Sequence, residues 1–231
     1  MLLEAARDEQ HLGELVERRT TGLPLEQVIG WTEFAGVRIE LDPGVFVPRH
    51  RSELLAREAA RMAAAGAVVV DMCCGSGALG AAVAAAVPGV ELYAVDVDPG
   101  AARCARRNLA GATVLVGDLF EPLPDALRRR VRVIVCNAPY VPTAEISQLP
   151  PEARDHEPRP ALDGGADGLD VVRRVATEAP AWLAPGGCLL VEASERQAAD
   201  VAAALRGHGL APRLVRDEEL EATVVVGTAS R

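Results

Sequence analysis

The segment from Asn137 to Tyr140 places an amide side chain, a stiff proline and an aromatic ring directly after an apolar run. An amide nitrogen is a weak nucleophile, because its lone pair is delocalised into the carbonyl. Methyl transfer to it requires in-line approach and hydrogen-bond acceptors that strengthen as positive charge develops on the nitrogen. The Asn137 side-chain oxygen and the Ala138 carbonyl can be those acceptors. Pro139 stiffens the turn, and the Tyr140 ring can stack on a planar amide or base.

A second set of candidate residues lies in DMCCGSG (71–77), after an earlier apolar run. Glycines there let the backbone approach a ligand, and an acidic residue about 20 positions further on binds ribose hydroxyls in such sites. Asp96 has this spacing. Asp98 is the weaker candidate, because its position directly before Pro99 favours a helix cap.

Three features favour S-adenosylmethionine over a nicotinamide cofactor, since the glycines read G-S-G without the full G-x-G-x-x-G. The acidic Asp71 precedes the turn, Gly117-Asp118-Leu119 ends the third apolar run, and the Asn137 segment ends the fourth. Asp118 is predicted to accept from the adenine amino group while Leu119 packs on the ring; alternatively, Asp118 caps a turn and Leu119 belongs to the core. The predicted cofactor-binding residues are Asp71, Cys73, Cys74, Gly75, Ser76, Gly77, Asp96, Val97, Asp118, Leu119 and Asn137.

The elements that must position these residues alternate between strands and helices from residue 67 onward. Strands are predicted at 67–73, 90–97, 113–119, 131–137 and 188–193, and helices at about 79–86, 99–109, 169–183 and 195–206. Apolar strands that alternate with helices predict a parallel sheet covered on both faces. Strands at 211–217 and 222–228 are too close together for a crossover helix, so they should form an antiparallel hairpin. The predicted fold class is α/β, a class I S-adenosylmethionine-dependent methyltransferase (Rossmann-like) fold. Its mostly parallel seven-stranded sheet ends in that hairpin.

The whole chain divides into three predicted parts. Residues 1–22 hold an acidic helix from about Leu2 to Arg19, and residues 23–51 form a linker with a β-hairpin around Asp42-Pro43-Gly44. The catalytic domain spans 52–231 and begins with a helix that Ser52 caps. Within the linker, Phe46 is predicted to line the substrate pocket, and Arg49 to reach the cofactor carboxylate or shape the pocket, unless it forms a surface ion pair.

Composition narrows the function class. The net charge of -9 argues against a nucleic-acid binder, which usually carries a basic footprint. The five cysteines form no C-x-x-C pair, so they are interpreted as reduced core residues of a cytoplasmic protein rather than as metal ligands. No signal peptide, membrane-spanning segment or assembly motif is evident. We therefore expect a monomer that does not bind a membrane.

Several segments resemble the protein-glutamine N5 methyltransferases. These are the HemK-type enzymes that modify peptide release factors, with a related branch that acts on a ribosomal protein. The resemblance runs from about Arg18 to Gly227. It includes GLPLEQVIG…VFVPR, the cofactor loop DMCCGSG, and EPRPALDGGADG, which resembles the loop after the family's N-P-P-Y. It implies that S-adenosylmethionine gives a methyl group to a glutamine side-chain nitrogen in a protein substrate. The products would be S-adenosylhomocysteine and a methylated protein, for which the resemblance suggests a release factor.

The chain also departs from the family pattern. Ala138 replaces the first proline of N-P-P-Y and keeps the carbonyl acceptor. Cys73 stands where the family commonly has glycine, which suits this position only if its φ is negative. Release-factor enzymes carry a helical docking domain, of which residues 1–22 would be a remnant. This departure predicts a divergent branch and leaves the acceptor protein open.

Three other functions are compatible with the same motifs. Methyltransferases of adenine or guanine amino groups also clamp a planar nitrogen, but they need phosphate contacts and must take the base out of its stack. A paralogue that binds the cofactor without transferring the methyl group is compatible with Ala138. Methylation of a small-molecule amide is a further alternative.

Overall fold

A computed structural model describes residues 1–230, so Arg231 of the predicted catalytic domain lies outside the described residues. The strands are β1 (Trp31–Phe34), β2 (Val37–Glu40), β3 (Val68–Met72), β4 (Glu91–Asp96), β5 (Thr113–Val116), β6 (Val131–Cys136), β7 (Leu183–Glu192), β8 (Ala211–Asp217) and β9 (Ala222–Thr228). The α-helices are α1 (Leu2–Ala5), α2 (Glu9–Thr20), α3 (Leu25–Ile29), α4 (Glu53–Met62), α5 (Ala78–Ala86), α6 (Pro99–Asn108), α7 (Pro151–His156), α8 (Asp170–Trp182) and α9 (Ala198–Gly207).

Seven strands form one sheet in the order β5-β4-β3-β6-β7-β9-β8. Strands β3 to β7 are parallel, while β9 runs antiparallel to both β7 and β8. The predicted fold class is therefore confirmed, including the final hairpin. The chain winds outward in opposite directions from β3 and β6, so a crevice opens where these two strands end.

The core lies on both faces of this sheet, because successive side chains of a strand point to opposite sides. Val69 and Val133 face the layer that contains α4, α5 and α6. Val70 and Ile134 face the layer that contains α8 and α9. Strands buried on both faces must be apolar throughout, which is why the sequence predicted them well.

The N-terminal helix differs from its prediction. The single helix expected from about Leu2 to Arg19 is divided into α1 and α2, because Ala6 is extended and Asp8 begins a new helix. The Asp8 side chain accepts from the His11 backbone N–H at 2.8 Å, which caps α2. A helix cap within a predicted helix thus separates the two segments.

The hairpin turn was predicted at the wrong residues. Strands β1 and β2 are joined by Ala35 and Gly36, whose φ angles are 49° and 76°. Two consecutive positive φ angles favour a two-residue hairpin loop that matches the twist of the strands. Asp42-Pro43-Gly44 does form a turn, in which Val45 N–H donates to the Asp42 carbonyl at 3.2 Å. The residues after it are not in a strand; they run extended toward the cavity described below.

No helix or strand was predicted for the Pro-rich segment between β6 and α8. It contains α7 and two short 3₁₀ segments at 143–148 and 159–161, so it is more ordered than expected. No helix among residues 1–230 combines the length and apolar character needed to cross a bilayer.

Candidate active site

A cavity of about 1560 Å³ opens at the ends of β3 and β6. This volume exceeds the usual 300–1,000 Å³ of a small-molecule site, so it has room for a cofactor together with an acceptor group. The structure brings nearly all predicted site residues to its walls: Phe46, Arg49, Cys73, Cys74, Gly75, Ser76, Asp96, Val97, Asp118, Leu119, Asn137, Ala138, Pro139 and Tyr140.

Asp71 and Gly77 are the two predicted cofactor residues that do not line this cavity. Asp71 is fully buried, and its Oδ2 accepts from the Gly80 backbone N–H at 2.9 Å. Gly77 has a φ of 80° directly before α5, and a Cβ there would lie 2.9 Å from the Leu109 side chain. Both residues therefore shape the cofactor loop from behind.

The buried Asp71 gives stability a pH dependence. Burial raises its pKa to about 8, against a value near 3.9 in an unfolded chain. Between these pH values the folded state keeps a proton that the unfolded state has lost, so stability falls as pH rises. This group contributes at most about 1.4 kcal/mol per pH unit. We expect Asp71→Asn, which cannot ionise, to gain stability relative to the parent protein from about pH 4 to pH 8. Urea unfolding across that range measures the difference, and a constant difference would contradict the shift.

Asp96 lies at the end of β4 with both carboxylate oxygens engaged by the backbone. Oδ2 accepts from Gly75 N–H at 2.8 Å and Oδ1 accepts from Asp98 N–H at 2.9 Å. Burial raises the pKa of Asp96, and these two hydrogen bonds oppose the shift. Each oxygen retains a lone pair, so the carboxylate can accept two further hydroxyl groups. The helix-cap interpretation of Asp98 is confirmed, since its side chain accepts from Gly100 N–H at 2.7 Å.

Two of the remaining predicted cofactor residues have left-handed backbone although they are not glycine. Cys73 has a φ of 57°, whereas a cysteine was expected to suit this position only if φ were negative. A non-glycine residue in this conformation costs about 1–2 kcal/mol. Leu119 has a φ of 48° and is buried. The neighbouring Asp118 is paired with Arg174 at 2.7 Å, which leaves its other carboxylate oxygen available.

Residues 137–140, called the clamp below, are fixed from three sides. Asn137 Nδ2 donates to Ser52 Oγ at 3.2 Å. The Tyr140 hydroxyl contacts Arg51, and the Tyr140 carbonyl accepts from Gln197 Nε2 at 2.9 Å. Because the Asn137 nitrogen is used by Ser52, its Oδ1 is the group left to accept a hydrogen bond in the cavity.

A buried carboxylate beneath the clamp was missed by the sequence interpretation. Glu192 ends β7 and is only 4% exposed. Its Oε1 accepts from Arg51 Nε at 3.2 Å, while Oε2 has no hydrogen-bond partner among residues 1–230. Burial raises the pKa of Glu192, opposed by the Ser52 hydroxyl and Arg51. An acidic residue at the end of an otherwise apolar strand was the available indication in the sequence.

Ser52 differs from its predicted role. It directly precedes α4, but its side chain makes no capping hydrogen bond and instead holds Asn137. We expect Ser52→Ala to lower kcat about tenfold. Without the Ser52 hydroxyl the Asn137 amide can rotate, so its oxygen can turn away from the group that is to be methylated. Ser52→Thr keeps the hydroxyl and should keep most of the activity. Methyl-transfer kinetics measure both variants, and equal losses for Ala and Thr would contradict this role.

The segment 157–168 packs over the clamp. Val141 N–H donates to the Leu162 carbonyl at 3.0 Å, and Gly164 N–H donates to the Val141 carbonyl at 2.9 Å. At the start of this segment, the buried Glu157 carboxylate binds Arg49 Nη2 at 2.6 Å. Arg49 therefore forms a partly buried ion pair that joins the linker to this segment, rather than a surface pair.

Comparisons with known proteins show which family the chain resembles in sequence. A family model described as the methyltransferase small domain matches residues 36–149. A release factor glutamine methyltransferase of Geobacter sulfurreducens is 44% identical over 191 residues, covering 81% of this chain and 66% of that protein. One of Gloeobacter violaceus is 40% identical over 199 residues, covering 82% of this chain and 68% of that protein.

A solved structure is similar as well. It is a protein-(glutamine-N5) methyltransferase (release factor-specific) from Alicyclobacillus acidocaldarius. It matches with a TM-score of 0.51 and 28% identity, covering 84% of this chain and 100% of that chain. The chain spans about two thirds of the length of the two curated relatives.

Proposed function

Because the chain belongs to the release factor glutamine methyltransferase family, we propose that it methylates the side-chain nitrogen of a glutamine in a protein substrate. The methyl donor in this proposal is S-adenosylmethionine, and a peptide chain release factor is the substrate tested first. The observation that carries the proposal is the clamp. Asn137 Oδ1 and the Ala138 carbonyl are acceptors without partners among residues 1–230, and both belong to residues that line the cavity at the switch point of the sheet.

The residues present fit the proposed methyl donor. The Asp96 carboxylate has acceptor capacity for ribose hydroxyls, and Gly75 leaves open space where a side chain would stand. Asp118 retains an acceptor for an adenine amino group beside the apolar Leu119. When bound, S-adenosylmethionine supplies a methyl group attached to positively charged sulfur.

The protein's own groups would act on the acceptor amide. Two N–H groups of a glutamine side chain can donate to Asn137 Oδ1 and to the Ala138 carbonyl. These bonds strengthen as the nitrogen becomes positive, which lowers the barrier, and one of the two N–H protons leaves so that the methylated amide is neutral. Burial raises the pKa of Tyr140 despite Arg51, so the phenol stays neutral and offers a ring face to the planar amide.

Asp96 gives a direct test of the donor site. We expect Asp96→Ala to weaken binding of S-adenosylhomocysteine about 10- to 100-fold, because two charge-assisted hydrogen bonds to hydroxyls are lost. Isothermal titration calorimetry measures this affinity without turnover. Glu91→Ala is the matched control, since Glu91 is an exposed carboxylate at the other end of the same strand. Unchanged affinity in Asp96→Ala would place the donor elsewhere.

The proposal as a whole is tested by methyl transfer from labelled S-adenosylmethionine. The acceptors are a purified release factor, the same factor with its Gly-Gly-Gln glutamine changed to alanine, and total cellular RNA. We expect label in the first acceptor and in neither of the others. Label confined to RNA would favour the nucleic-acid alternative, which the net charge of -9 opposes. Donor binding with no transfer to any acceptor would favour a paralogue without transfer activity.

A further inference from the structure

Ala138 carries an unused backbone donor beside the proposed acceptor. Ala138 is only 2% exposed, and it lines the cavity. Neither its N–H nor its C=O has a hydrogen-bond partner among residues 1–230. Buried backbone groups are nearly always paired, so two free groups on one buried residue indicate a partner supplied from the cavity.

The neighbouring backbone groups of the clamp are used differently. The Tyr140 carbonyl is bound by Gln197, and the Pro139 carbonyl packs so closely on Gly164 that a Cβ there would lie 2.6 Å from it. These two carbonyls therefore face the protein. Of these three carbonyls, that of Ala138 is therefore the one that remains open to a ligand.

The position before Pro139 restricts the backbone of Ala138. A residue that precedes proline favours β or polyproline II backbone over the α region. In β backbone the N–H and C=O of one residue project to the same side, as they do in a hydrogen-bonded pair of antiparallel strands. In this conformation Ala138 presents a donor and an acceptor on one edge.

That edge matches a primary amide. A carboxamide has a C=O and an N–H side by side, so it can accept from the Ala138 N–H while donating to the Ala138 C=O. Its second N–H is then available for Asn137 Oδ1. An amine acceptor without a carbonyl could use only the two acceptors of the clamp.

We infer that the Ala138 N–H binds the carbonyl oxygen of the substrate carboxamide and makes the site selective for amides over amines. This inference rests on the proposed function and adds a specificity-determining contact to it. A proline at position 138, as in the N-P-P-Y pattern that the sequence resembles, has no N–H to make this contact.

The test combines a change in the protein with a change in the ligand. A Gly-Gly-Gln peptide and its thioamide analogue, in which sulfur replaces the glutamine side-chain oxygen, are titrated into the protein with S-adenosylhomocysteine present. Sulfur is a weak acceptor, so we expect the parent protein to bind the thioamide about 3- to 10-fold more weakly. Ala138→Pro should bind the amide more weakly by a similar factor and show no further loss with the thioamide.

Non-additivity of this kind identifies a direct interaction between the two changed groups. A thioamide penalty that persists undiminished in Ala138→Pro would overturn the inference, as would tighter amide binding by the variant. If Ala138→Pro loses affinity for S-adenosylhomocysteine, an ester at position 138, made with lactic acid in place of alanine, removes the same N–H without a ring. Its expected results are the same, and so is the result that overturns the inference.

The failure of the proposed function would look different. In that case the parent protein would neither bind the Gly-Gly-Gln peptide nor methylate it, whatever residue occupies position 138. Binding and methylation of the peptide with no coupling between Ala138 and the thioamide would leave the function standing and remove only this contact.

Discussion

Replacing Asn137 with alanine is expected to lower kcat about 10²- to 10³-fold, the usual effect of removing one group that stabilises charge in the transition state. In the proposed function the Asn137 Oδ1 accepts from the substrate amide, while its Nδ2 is held by Ser52 at 3.2 Å. The loss should appear mainly in kcat, because the bond strengthens as charge develops. Single-turnover transfer to the release factor measures the chemical step directly.

Two further measurements make this result specific. Affinity for S-adenosylhomocysteine should change little in Asn137→Ala if the residue acts mainly on the acceptor. Gln10→Ala is the control, because Gln10 is an exposed amide on α2 whose one side-chain hydrogen bond among residues 1–230 is to Glu14. An Asn137→Ala variant that transfers at the parent rate would show that the clamp does not hold the reacting nitrogen.

Replacing Gly168 with alanine is expected to cost about 2–4 kcal/mol of stability and to displace the clamp. Gly168 has a φ of 81°, and a Cβ would lie 2.2 Å from the Tyr140 carbonyl oxygen and 2.5 Å from Gln197 Nε2. Since about 1 kcal/mol corresponds to 2–4 °C in a chain of this size, Tm should fall by about 4–16 °C. Methyl transfer should fall as well at temperatures where the variant is folded.

Gly111→Ala separates the clash from the backbone conformation. Gly111 has a φ of 82°, but nothing lies within 4 Å of a Cβ placed there. The Gly111→Ala variant should therefore be less stable only by the cost of left-handed backbone, about 1–2 kcal/mol. It should keep full transfer activity. Equal loss of Tm and equal activity in the two variants would mean that the contact between Gly168 and the clamp has no special importance.

The central strands of the main sheet could be predicted from sequence because they are buried on both faces. The runs at 67–73 and 131–137 are apolar for this reason, and they match β3 and β6 closely. The small hairpin was harder to locate. Asp42-Pro43-Gly44 contains strong turn residues, yet a hairpin also needs a partner for each strand, and β2 pairs with β1 across Ala35 and Gly36.

The site was partly predictable for a related reason. The carboxyl ends of parallel strands meet at one edge, so Asp96 and Asn137 could be placed together from their positions after apolar runs. Ser52, Arg51 and Glu192 could not be placed in the same way. Arg51 and Glu192 are 141 positions apart in sequence, and only the packing of α4 against β6 and β7 brings them together.

The position of Cys73 shows a limit of motif reading. The sequence could say that glycine is usual there, but not whether the local φ would tolerate a side chain. The structure gives a φ of 57°, so the loop keeps the shape that glycine favours and bears the cost of a cysteine. The cofactor-loop motif therefore predicted the backbone conformation at position 73 better than it predicted the type of residue found there.

The central claim is that the clamp holds a glutamine side-chain amide for methylation. Its most direct test is a tandem mass spectrum of a release factor after incubation with the protein and S-adenosylmethionine. We predict one added methyl group on the side-chain nitrogen of the Gly-Gly-Gln glutamine, present with the parent protein and strongly reduced with Asn137→Ala. A methyl group on any other residue, or a glutamine methylated equally by Asn137→Ala, would contradict the account.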